Sequence, residues 1–126
     1  MGLIEKLAKK IRTPRDVQIY LRALPYNREL GGETLRSAEQ ALRLGTAHCL
    51  EAAFVAAAVL EVNGYPPLVM SLESQDQLDH VIFVFQKNGR WGSVGRSRDE
   101  GLHGRPPAYR SLRDLAWSYF DPYIDK

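Results

Sequence analysis

The sequence predicts an α+β fold: N-terminal helices, a central buried helix carrying the cysteine, an antiparallel β-meander and a C-terminal helix. Three observations predict it. Apolar residues recur at helical spacing through the first 45 positions. The stretch from Cys49 to Val62 is apolar on almost every side, the pattern of a helix covered all round. Beyond Gly64 the pattern changes to short apolar runs arranged about Asn88-Gly89, the dipeptide that most favours a two-residue hairpin.

The elements follow in order. Leu3, Ile4, Leu7 and Ile11 share one face of a first helix, with lysines between them. Thr13-Pro14-Arg15-Asp16 combines a capping hydroxyl, a proline at the first helical position and an acid in the first turn. Val17, Tyr20, Leu21 and Leu24 form the face of this second helix, which Pro25 ends. Leu35, Ala38, Ala41 and Leu42 predict a third helix that finishes near Gly45. Thr46 then caps the central helix, and Gly64 stops it. Residues 68–72, 81–85 and 91–95 read as strands, the second apolar enough to be covered on both faces. Gly101, Gly104 and Pro106-Pro107 read as a loop, and Ser111 starts the last helix. Nothing resembles a linker, so residues 1–126 are expected to form one domain.

Composition narrows the class of function. The chain has 126 residues, 44% hydrophobic and 25% charged, the balance of a globular protein with a real core. Seventeen basic and 15 acidic residues give a formal charge of +2. The basic residues are scattered, which argues against a nucleic-acid partner. No stretch approaches the ~20 apolar residues of a membrane span, so no membrane partner is expected. A single cysteine permits no internal disulfide, which fits a reducing, cytoplasmic setting.

That cysteine is the first candidate for chemistry. Cys49 falls in the first turn of the apolar helix, where free N–H groups and the positive end of the helix dipole favour a thiolate. The same donors suit a developing oxyanion. The plain alternative is a buried cysteine acting as a small hydrophobe. His80 follows a polar stretch and opens an apolar strand. A histidine at a strand mouth can reach the start of a helix packed on the sheet, and cysteine with histidine is a nucleophile–base pair. His48, next to Cys49, points about 100° away on a helix, and His103 is expected to be solvent-exposed in its loop. A zinc site from His48, Cys49 and His80 has no CxxC or HxxxH spacing behind it, and no cofactor is expected.

Two segments carry a resemblance. Gly45-Thr46-Ala47-His48-Cys49-Leu50-Glu51-Ala52-Ala53, with Asn63-Gly64-Tyr65-Pro66-Pro67 at its end, resembles the nucleophile helix of transglutaminase-like (papain-like) cysteine proteins. Asp79-His80-Val81-Ile82-Phe83 and Asn88-Gly89-Arg90-Trp91 resemble that family's histidine strand and its tryptophan-bearing partner. The resemblance spans residues 45 to about 97 and is to the small bacterial-type domains. It implies a Cys–His–Asp triad and acyl transfer or amide hydrolysis, with Cys49 and His80 at the first two positions.

The third position departs from that pattern, because Gly95 stands where the family's aspartate belongs. Pairing through the Asn88-Gly89 turn sets Val84 opposite Ser93, Ile82 opposite Gly95 and His80 opposite Ser97, all on one sheet face. Ser97 is therefore the residue best placed to orient His80, with Ser93 further along and Asp99 within reach only if the strand bends. A serine can hold a histidine tautomer but does not stabilise imidazolium as a carboxylate does. Two functions follow. One is a cysteine hydrolase or acyltransferase acting on an amide bond of a peptide or protein substrate, with Cys49, His80 and Ser97 as its catalytic set. The other is an impaired domain of the same fold that binds a peptide or partner protein in the old cleft.

Overall fold

In a computed structural model of the chain, residues 2–24, 40, 49–72, 80–96 and 103–124 are described, the last five by backbone alone. The elements are α1 (Leu3–Lys10), α2 (Pro14–Ala23), α3 (Cys49–Val62), β1 (Leu68–Leu72), β2 (His80–Lys87), β3 (Arg90–Val94), β4 (Arg105–Tyr109) and α4 (Leu112–Ile124). The helix expected over 35–42 and the Thr46 cap lie outside the described residues, apart from Gln40, which is helical.

Local chemistry sets the element ends. Thr13 Oγ1 accepts the Asp16 N–H at 3.2 Å, and Pro14 occupies the first turn of α2. Leu24 turns extended ahead of Pro25, since a proline disfavours helical backbone in the residue before it. Gly64 takes φ +93° just past α3, with Tyr65 N–H bonded to the Leu60 carbonyl and Gly64 N–H to that of Glu61. This Schellman closure needs a residue without a Cβ penalty at the left-handed position. Asn88 and Gly89, at φ 53° and 78°, make the tight turn between β2 and β3.

The sheet is antiparallel, in the order β1-β2-β3-β4. Its register joins Leu72 to His80, Val84 to Ser93 and Gln86 to Trp91, so the pairing derived from the turn holds through Val94. β4 corrects the expectation of a Gly/Pro loop. Arg105–Tyr109 pairs with β3 at the sheet edge, with an irregularity between Trp91 and Ser93. Prolines lack the ladder donor but are tolerated on an edge strand.

β2 separates two apolar layers. On one side Phe83, Phe85 and Val94 pack with Ala52, Val55, Val59 and Leu60 of α3 and with Val17 and Leu21 of α2. On the other, Ile82, Val84 and Leu72 pack with Leu115 and Tyr119 of α4. The central helix is less enclosed than its sequence implies, since Phe54 is 37% exposed. Asn63 Nδ2 donates to the Ala8 and Val59 carbonyls and ties α1 to the end of α3.

Candidate active site

His80 is the first residue of β2 and is only 3% exposed. Pairing with Leu72 fixes its backbone. By the period-two rule its ring shares a face with Ile82 and Val84, and it meets the Tyr119 ring edge-to-face at 5.6 Å between centroids. The far side of the imidazole faces β3. A Cβ built at Gly95 would lie 3.5 Å from His80 Nε2 and 2.9 Å from Ile82 Cγ2. The space beside the ring is therefore partly closed by Ile82 rather than open.

Gln18 holds the strand backbone at that point. Its Oε1 accepts the N–H groups of Gly95 (2.9 Å) and Gly104 (3.0 Å), and its Nε2 donates to the Gly95 carbonyl at 2.8 Å. One side-chain amide from α2 thus acts as a ladder rung beyond the end of β3. Gln18 is not legible in the sequence, because a polar residue beside Val17 is ordinary on an amphipathic helix.

A buried network stands behind Tyr119. Arg105 N–H donates to Ser93 Oγ at 3.0 Å, Ser93 and Tyr119 hydroxyls are 2.5 Å apart, and Tyr119 donates to the His103 carbonyl at 2.8 Å. Tyr119 has one proton to give, so the Ser93 hydroxyl is the donor between the two. The Arg105 guanidinium lies 4.2 Å from the Tyr119 ring centre and donates to the His103 carbonyl and to Ser118. Burial pushes the Tyr119 phenol up to about 12, against the opposing pull of the Ser93 bond and the Arg105 charge. Ser93 is thus engaged with Tyr119 and Arg105.

His103 is buried, not solvent-exposed as its sequence context implies. Its Nε2 lies 3.4 Å from Arg96 Nη1, and Arg96 Nη2 donates to the Leu24 carbonyl at 3.2 Å. A guanidinium only donates, so His103 Nε2 is the acceptor. Arg96 is a tie between α2 and the end of β3.

Cys49 is the first residue of α3 and is half-buried, with Glu51 two residues on and fully buried. Ser97, Asp99, His48 and the polar stretch before His80 lie outside the described residues. Among the described residues no three His, Cys, Asp or Glu side chains come together as a metal site, and no helix is long and apolar enough to cross a membrane. Trp91 and Tyr109 pack, partly buried, against the α4-side core. Tyr65 instead lines a cavity of about 540 Å³ between α2 and β4, whose lining includes neither Cys49 nor His80.

An α+β fold with a cysteine in its central helix and a buried histidine in a core strand has the layout of a cysteine-protease-like domain. The vasohibin family model matches residues 37–126, and the chain belongs to that family. The chain is 28% identical over 123 residues to tubulinyl-Tyr carboxypeptidase 1 of Mus musculus, covering 85% of this chain and 33% of the relative. It thus spans about a third of the length of that curated relative.

Proposed function

We propose that the protein is a cysteine peptidase of transglutaminase-like descent that cleaves a peptide bond in a protein substrate, with Cys49 as nucleophile and His80 as base. The observation that carries this reading is that the vasohibin match contains both residues, while His80 is buried at the end of the sheet with Nε2 toward β3. Nδ1 is the nitrogen proposed for the thiol. Ser97, two residues past Gly95, is the proposed orienter on the Nε2 side. The name of the mouse relative suggests removal of a C-terminal residue as the reaction to try first.

The course of the helix supports the pairing. Tyr65, just past α3, meets Phe85 edge-on at 6.3 Å, near the late end of β2. From there α3 runs back about 20 Å at ~1.5 Å per residue. His80 lies about 17 Å before Phe85 at ~3.3 Å per residue. Both first residues are therefore expected at one end of the molecule. Because the ring is on the α4 face, Cys49 has to meet it around the end of the sheet. Chemically, His80 takes the thiol proton and the thiolate attacks the scissile carbonyl to give an acyl-enzyme. The amine leaves with the proton, and water, deprotonated by His80, releases the acid. A cytoplasmic site of action fits a free nucleophilic thiol.

One observation favours a second reading. Gly95 presents no side chain to Nε2, so the imidazolium lacks the carboxylate that would stabilise it from that position. An impaired domain that binds a peptide or partner protein is the alternative. Incubation with peptides differing in their C-terminal residue, followed by mass spectrometry, separates the two. Release of one residue, lost in Cys49→Ser and His80→Ala, supports the peptidase. Release that survives Cys49→Ser contradicts it, and binding without cleavage supports the alternative.

A further inference from the structure

We propose that Tyr119 is a positioning residue for His80, and that the hydroxyl network of Ser93, Arg105 and the His103 carbonyl exists to hold it there. The inference rests on the Cys49–His80 reading above. The backbone of His80 is set by its pairing with Leu72 of β1, which by itself does not fix the turn of the ring. Among the described residues, Gly95 borders the imidazole and the Tyr119 ring meets it from α4.

Tyr119 is suited to that role because it cannot swing. Its hydroxyl receives one hydrogen bond from Ser93 and gives one to the His103 carbonyl. Ser93 is itself held by the Arg105 N–H, across the β3–β4 pair. The Arg105 guanidinium covers the ring and binds the same His103 carbonyl. Packing alone would require only a phenylalanine, since the ring supplies the apolar area. A buried hydroxyl with both partners in place fixes the ring in rotation as well as in position. A catalytic imidazole needs that fixity, because a small misplacement of the base lowers the rate steeply.

The test uses the full chain and two readouts: the rate of Cys49 alkylation by iodoacetamide at pH 6, and the ¹⁵N signals of His80, which report its tautomer. Tyr119→Leu removes the ring, Tyr119→Phe restores it without the hydroxyl, and Ser93→Ala loosens the network while leaving the ring. The expected result is a roughly tenfold slower alkylation in Tyr119→Leu, with His80 signals averaged between tautomers. Tyr119→Phe should recover most of the rate, and Ser93→Ala should fall between. Unchanged His80 signals in Tyr119→Leu overturn the proposal. If that variant does not fold, unchanged His80 signals in folded Ser93→Ala do so. A His80→Ala variant alkylated at the wild-type rate overturns the Cys49–His80 pairing instead, and the nitrogen signals still decide the role of Tyr119.

Discussion

The Cβ that Gly95 lacks would stand 3.5 Å from Nε2 of His80. A carboxylate introduced there points at the ring, which is where a third catalytic group would act on the imidazolium. The same Cβ would crowd Ile82 Cγ2 at 2.9 Å, so any side chain at this position carries a packing cost.

Gly95→Asp and Gly95→Asn share that cost and differ only in charge. Both should lose about 1–3 kcal/mol of stability, since Ile82 has to shift. At pH 6, alkylation of Cys49 should be several-fold faster in the aspartate variant than in the asparagine variant, because the carboxylate stabilises the imidazolium formed with the thiolate. Equal rates in two folded variants would show that charge at this position does not reach the pair.

Gln18→Leu should destabilise the protein by about 2–4 kcal/mol in urea unfolding, because it strands the Gly95 and Gly104 N–H groups and the Gly95 carbonyl. It should also lower the Cys49 alkylation rate, since Gly95 borders His80. A loss below about 0.5 kcal/mol would mean that water replaces all three bonds.

Tyr119 gives a pH signature of stability. Below pH 10 its phenol is neutral in both states and contributes no pH dependence. Between about 10 and about 12 the unfolded chain loses this proton while the folded chain keeps it, so stability falls as pH rises. The loss approaches about 3 kcal/mol for two pKa units. Comparison with Tyr119→Phe isolates the effect: the two unfolding curves should diverge above pH 10, and parallel curves would contradict the buried network.

Much of this arrangement is legible in the sequence because it is local. The Thr13 cap, the Gly64 stop and the Asn88-Gly89 turn depend on a few neighbouring residues, and the turn fixes the β2–β3 register by counting. Counting through that turn sets Gly95 opposite Ile82, on the sheet face that His80 shares. What escaped depends on distant partners. β4 reads as a loop because Pro106 and Pro107 suppress strand propensity, while its position against Gly92 is a tertiary fact: a Cβ there would approach Pro107 N and the Arg105 carbonyl to 2.9 Å. His103 looks exposed between glycines, yet Arg96, Arg105 and Tyr119 gather round it. Gln18 acts on a glycine 77 positions away, which no local pattern encodes.

The hairpin offers a simpler check. A Cβ at Gly89 meets nothing within 4 Å, so Gly89→Ala tests backbone strain alone at φ 78°. It should cost about 1–2 kcal/mol, the penalty for a left-handed residue with a side chain. No cost would mean the turn adopts another conformation in solution.

The central claim is that Cys49 and His80 meet at the end of the sheet, and an experimental structure of the protein with its reduced thiol tests it most directly. The account predicts Cys49 Sγ within about 4 Å of His80 Nδ1, with Nε2 turned toward β3 and the Ser97 segment, allowing for the looser geometry of a ligand-free site. A sulfur enclosed on the α3 side of the sheet, with the imidazole sealed against Tyr119 and neither ring nitrogen open to it, would contradict the account.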